Sequence, residues 1–154
     1  MPDSYISNTD YLKTLERMYK DSRILYNAEE YYNCCYLCGY VLECALKYIL
    51  LTFGKDEDGN GFTIEDLKKA FRHDIRKLNS RLDECISSAE AIPSRYRLDA
   101  QRYTPCMLKG KNGHKPWNPE LRYGEHPMWN DKEYCDHYMR ESEYVFDFIT
   151  EIVV

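Results

Sequence analysis

The stretch YLCGYVLECALKYILL, Tyr36 to Leu51, decides how the rest of the chain must fold. It lies in a proline-free run that starts after Asn27 and ends at the break Gly54-Lys55-Asp56-Glu57-Asp58-Gly59-Asn60-Gly61, so the pattern predicts one long helix. On that helix Cys34, Cys38, Val41, Ala45 and Tyr48 form one stripe, and Cys35, Gly39, Leu42, Leu46 and Ile49 form its neighbour. Together they make an apolar face too wide for a helix with one side in water. The remaining stripe holds Tyr36, Tyr40, Glu43 and Lys47. Glu43 and Lys47 stand four residues apart in the favourable acid-first order. Two readings are open: a solvated ion pair worth a few tenths of a kcal/mol, or a polar seam directed at another helix or a second subunit, with the tyrosines as its amphipathic rim.

Outward from this helix, Leu12, Leu15, Met18 or Tyr19, and Leu25 recur at helical spacing and predict a first helix from Thr9 to about Tyr26. Beyond the glycine break, Thr63 can cap with Asp66 in a weak capping box. Ile64, Leu67, Phe71, Ile75, Leu78, Leu82 and Ile86 then carry a stripe to about Ala91, as one helix or as two that bend near His73 or Asn79. A last helix, capped by Asn130 with Glu133, runs to the C-terminus with Tyr134, Tyr138, Val145, Ile149 and Ile152 on one face. No segment alternates with period two. The expected fold is all-α: an antiparallel up-and-down bundle of four to five helices in a single domain, 1–154, with a long Pro-rich loop before the last helix.

That loop, 93–129, contains Pro93, Pro105, Pro116, Pro119 and Pro127, which argues against a long helix there. It carries seven cations (Arg95, Arg97, Arg102, Lys109, Lys111, Lys115 and Arg122) against Asp99, Glu120 and Glu125, a surplus of +4 that leaves −9 for the rest of a chain of net charge −5. Its aromatics, among them Trp117 and Tyr123, are interleaved with the cations, the combination that lets rings stack on unpaired bases while cations meet phosphates. A loop pinned to the bundle by its aromatics, with solvated cations, is the alternative.

The seven cysteines are odd in number and unevenly placed, which suits thiols in a reducing cytosol better than a disulfide framework. Cys35 and Cys38 form a CxxC inside a helix, where small thiols serve close packing. Cys106, His114, His126 and Cys135 make a zinc set only if spacings are chosen freely, and no Gly-rich phosphate loop appears. The start MPDSYISNTDYLK lacks a charged segment followed by an apolar one, and charges interrupt the longest apolar run. The expectation is a cytoplasmic protein with no metal, no cofactor and no membrane partner.

YYNCCYLCGYVLECALKYIL resembles the signature of the HEPN domain family (higher eukaryotes and prokaryotes nucleotide-binding), through Tyr36, Leu37, Gly39, Tyr40, Glu43, Cys44, Leu46 and Lys47. HDIRKL, His73 to Leu78, is similar to the family's His-x-Leu-x-x-Leu helix, and WNPELRY, Trp117 to Tyr123, to its Trp and Arg-Tyr before the last helix. The resemblance implies a helical bundle, commonly a homodimer, associated with RNA cleavage and with minimal nucleotidyltransferase partners in toxin–antitoxin pairs or phage defence. It also lets His73 approach Glu43 and join the polar seam, although His73 can equally hydrogen-bond at a helix start. HEPN ribonucleases carry an Arg followed after about four to six residues by a His, which stabilise phosphate charge and move protons during attack by the 2′-hydroxyl. Here Arg122 and His126 are more closely spaced, and Pro127 follows the His. The expected function is therefore a component of a stress or defence module that binds RNA or a nucleotidyltransferase partner without intrinsic catalysis. The alternatives are a metal-independent endoribonuclease using the atypical Arg122/His126 pair, and an interaction module without nucleic-acid contact.

Overall fold

A computed structural model describes residues 7–55, 58–87, 106–110, 116–124 and 126–153. The described residues form an all-α bundle with six helices among them: α1 (Asn8–Asn27), α2 (Tyr31–Phe53), α3 (Ile64–Ala70), α4 (Ile75–Ser87), α5 (Cys106–Lys109) and α6 (Lys132–Val153). Among the described residues two 3-10 turns, Pro119–Arg122 and Pro127–Asn130, precede α6. The described residues contain no strand, only an isolated bridge between Lys55 and Gly61. The helix count exceeds the expected four to five because the Pro-rich segment contributes α5.

The long helix read from the sequence is the centre of the bundle: α2 packs against α1, α4, α6 and both 3-10 turns. Both apolar stripes are buried apart from the half-buried Tyr48, and Cys44 and Leu50 are buried with them. By length and hydropathy α2 could cross a bilayer, but 78% of its most apolar window is buried inside the bundle. Its neighbours supply the apolar surroundings that a lipid would otherwise provide.

Three residues, 28–30, join α1 to α2, a connection short enough to force an antiparallel hairpin. The turn closes through Ala28 N–H to Ile24 O (3.0 Å) and Glu30 N–H to Leu25 O (2.9 Å), with Glu29 in the left-handed region at φ 62°. The α3–α4 stripe bends where expected. Phe71 and Arg72 N–H groups share the Leu67 carbonyl, and Arg72 is left-handed at φ 46°. Asp74 caps α4 by accepting from Arg76 N–H (3.0 Å) and Lys77 N–H (3.1 Å). This frees His73 from the capping role. The Thr63/Asp66 capping box is formed, and its hydrogen bonds hold the Asp66 carboxyl below its usual range. At α6 the expected cap is corrected. Asn130 ends the preceding 3-10 turn, and Asp131, in extended backbone, accepts the Glu133 N–H at 3.0 Å.

The described part of the 93–129 segment is pinned to the bundle. Buried Glu141 on α6 accepts the Met107 N–H at 3.1 Å, and the Met107 carbonyl accepts the Trp117 N–H at 2.8 Å. The Trp117 indole then lies on Gly39 of α2, where an added Cβ would come within 1.8 Å of the ring. Its Nε1–H donates to the Tyr36 carbonyl at 3.1 Å. Glycine at 39 is thus fixed by the close approach of a ring to a helix backbone. All seven cysteines are buried free thiols.

Candidate functional site

The polar stripe of α2 divides into two linked clusters. In the first, Glu43 and Lys47 are buried, at 4% and 5% exposure. The solvated-pair reading is therefore corrected: the pair sits under α1 and the α3–α4 turn. Lys47 Nζ lies 3.4 Å from Glu43 Oε2 and 5.7 Å from the centre of the Tyr11 ring. His73 Nδ1 meets Glu43 Oε1 at 2.9 Å and Oε2 at 3.2 Å. A carboxylate at this site can only accept, so Nδ1 carries the proton and the ring's other nitrogen, Nε2, is the one left for another partner. The hydrogen bond to Glu43 raises the His73 pKa above its ordinary value, more than burial lowers it. The left-handed Arg72 sets up this contact by turning the chain so that His73, more than half exposed, still reaches a buried acid. Cys44 adjoins the pair, and burial pushes its thiol up to about 12.

A cavity of about 510 Å³ opens over this cluster, lined by Tyr11, Met18, Tyr40, Lys68, Arg72 and His73 above Glu43 and Lys47. Sequence reading missed Tyr11, Lys68 and Arg72. Arg72 is the one with a signal, since it directly precedes the HDIRKL motif.

In the second cluster Tyr36 and Tyr40 hydroxyls are 3.1 Å apart, and Arg122 Nη1 donates to Tyr36 Oη at 3.0 Å. The Arg122 guanidinium also donates to the Tyr123 hydroxyl, lies 4.5 Å from the Tyr123 ring centre and 5.6 Å from that of Tyr36. Tyr32 anchors the segment by sharing its hydroxyl proton between the Leu121 carbonyl (2.5 Å) and the Gly124 carbonyl (2.8 Å). Tyr123 itself is 79% exposed. Burial, then the hydrogen bond with Tyr36, pushes the Tyr40 phenol well above its ordinary value. The Tyr40 ring edge also meets His73, 6.0 Å between centroids, which joins the two clusters.

Arg122 and His126 face different partners. Arg122 lies on tyrosines at the surface, whereas the His126 ring is buried against Trp129 (5.5 Å) and Tyr134 (6.3 Å). Trp117 is 3% exposed, so the expectation that it stacks on a base is corrected: the ring is spent on Gly39 and Tyr40. Arg95, Arg97, Arg102, Lys111 and Lys115 lie outside the described residues, as does the side chain of Lys109. Among the described residues no group of His, Cys, Asp and Glu is arranged to hold a metal ion.

Comparison with curated proteins and with solved structures returned no match. The model of the HEPN domain matches residues 9–152, a span that takes in α2, the His73 turn and the Arg122 segment, and the chain belongs to the HEPN domain family.

Proposed function

We propose that this HEPN chain is a non-cleaving, RNA-binding component of a stress or phage-defence module, and that single-stranded RNA is held along the Arg122–Tyr123 edge together with the basic segment before it. The observation that carries this reading is the exposed Tyr123 ring with a guanidinium stacked on it. A ring stiffened on one side by a cation offers its other side to a base, and the guanidinium keeps N–H groups for a phosphate. The non-cleaving part is favoured by burial of His126 against Trp129. An imidazole packed into the core is badly placed to take a proton from a 2′-hydroxyl.

The test is fluorescence anisotropy on a labelled single-stranded RNA over a range of salt. Each phosphate engaged contributes about −0.7 to the salt slope, so Arg122→Ala should flatten the slope by about that amount. Tyr123→Ala should weaken binding at every salt concentration, by about 1 to 3 kcal/mol if the ring stacks on a base. The RNA should stay intact in EDTA. Cleavage by the wild type that is lost in His126→Ala would replace this reading with the metal-independent endoribonuclease. No binding at low salt would turn it toward a protein partner such as a nucleotidyltransferase.

A further inference from the structure

Where α2 meets α6, sulfur takes the place of hydrocarbon. Cys34 and Cys38 lie one turn apart on α2, and both thiols meet the thioether of Met139 on α6, Cys34 Sγ at 3.3 Å and Cys38 Sγ at 3.6 Å from Met139 Sδ. The Cys34 and Cys38 thiols are in hydrogen-bond contact with each other as well, so the three sulfurs close a triangle. Cys135, one turn before Met139 on α6, sets a fourth thiol against Cys34. Contacts outside the triangle hold it in place. Cys34 Sγ lies 3.2 Å from the Ser22 carbonyl on α1, and Ser142 Oγ on α6 donates to the Cys38 carbonyl at 3.4 Å. Cys34 and Cys38 are fully buried, whereas Met139 is half-buried and lines a groove of about 470 Å³ between α1 and α6, with Tyr19, Tyr26 and Asp136 beside it. Met139 is therefore the member of the triangle that reaches solvent.

Packing alone does not ask for this arrangement. A thiol set against hydrocarbon fills a close helix crossing as well as one set against another sulfur. What packing leaves unexplained is that three soft donors from two helices touch one another around a single point. Two thiols and a thioether are a poor set for zinc, which takes four ligands from cysteine, histidine and carboxylates. They suit Cu(I), the ion that thiolate and thioether sulfur select. With metal–sulfur bonds of about 2.3 Å, three sulfurs in a trigonal plane stand about 4 Å apart, so each has to move outward by only about 0.3 Å. The three rotatable bonds of methionine supply that adjustment without moving a helix.

We infer that Cys34, Cys38 and Met139 form a Cu(I) site, reached through the groove between α1 and α6, that ties α2 to α6. The ion arrives as Cu(I) and stays Cu(I), so no electron changes hands. Each thiol that coordinates gives its proton to water, and a sulfur lone pair makes the bond to copper. The thioether binds as a neutral donor and loses nothing. The site is independent of the Arg122–Tyr123 edge.

The test is a competition titration of the reduced protein against the Cu(I) complex of bicinchoninate, without oxygen. Uptake of one equivalent is expected, with a thiolate-to-copper charge-transfer band in the ultraviolet and a copper-edge absorption spectrum that shows sulfur neighbours only. The melting temperature should rise with Cu(I), since an ion bound by the folded state alone stabilises it. Met139→Leu is the decisive variant, because leucine fills nearly the same volume and keeps the core while removing the sulfur. Its Cu(I) affinity should fall by about tenfold or more, with the melting temperature of the metal-free protein little changed. Cys38→Ala should lose the uptake. Cys85→Ala removes a buried thiol on α4 that lies against the Lys55 carbonyl, and it should bind as the wild type does. The proposal is overturned if the chelator keeps the copper, if Met139→Leu binds as tightly as the wild type, if Cys85→Ala lowers the uptake as much as Cys38→Ala, or if oxygen or nitrogen neighbours appear at the copper edge.

Discussion

Glu43, Lys47 and His73 on one side, and Arg122 with Tyr123 on the other, are both polar clusters on the same stripe of α2, yet they hold charge in opposite ways. The first takes a carboxylate and an ammonium out of water and matches them at 3.4 Å, with a histidine at 2.9 Å completing the carboxylate's partners. The second leaves a guanidinium in water and steadies it with tyrosine rings and hydroxyls. What separates them is position along α2. Tyr36 lies where the chain returns to Arg122, whereas Glu43 and Lys47 lie farther along the helix, where α1 brings Tyr11 and the α3–α4 turn brings His73. Charges of the same kind therefore carry structural weight in one place and stay in contact with water in the other.

The largest effect is expected from Glu43→Gln. Stranding Lys47 without its carboxylate should cost about 3 kcal/mol or more in urea melts, and Glu43→Gln/Lys47→Met should recover most of the loss. A loss under about 1 kcal/mol would mean that this cluster behaves like a surface pair after all. Next in size is Gly39→Ala, whose Cβ would collide with the Trp117 ring. It should cost about 1 to 3 kcal/mol and change the near-UV circular dichroism, because the indole must leave α2. Should the tryptophan signal stay put, the seat of the Arg122 segment on α2 is not where the structure puts it.

A smaller effect is expected from pH. His73 has a native pKa above its ordinary 6.5 through its bond to Glu43, so protons bind the folded protein more tightly than the unfolded chain. Its contribution is complete below 6.5 and fades as pH rises through the native value. The melting-temperature advantage of wild type over His73→Gln should therefore be larger at acidic pH and shrink toward alkaline pH; a constant gap would show that His73 is not protonated by way of Glu43. The smallest stability effect belongs to Arg122→Ala. Its melting temperature should match the wild type at every pH, since a cation on surface rings contributes little to folding. A drop comparable to that of Gly39→Ala would make the edge a structural element and weaken its claim as a ligand surface.

Much of the fold was legible because periodicity reports burial directly. The three-and-four spacing of Leu12, Leu15 and Met18, and the unbroken apolar run around Val41, could form only helices with covered faces. Caps were less secure. Thr63 capped as its spacing promised, but Asn130 was drawn into a 3-10 turn and Asp131 took its place, since two adjacent residues of similar capping strength are separated only by the path of the incoming chain. The site was half legible. The Glu43–Lys47 pairing followed from four-residue spacing, whereas its burial depended on α1 and on a turn thirty residues away.

The helical class, the central helix and its polar stripe follow from the order of residues alone, because these depend on contacts between residues three and four apart. Which way the remaining side chains face was set by the packing of the helices. Trp117 and Tyr123 belong to one short motif with the same composition of ring and cation, yet one is buried on Gly39 and the other stands in water. Arg122 and His126 are near neighbours in the chain and end on different partners. In a segment of proline-bounded 3-10 turns no fixed period relates sequence spacing to direction, so what each residue touches is set by the helices it is laid against.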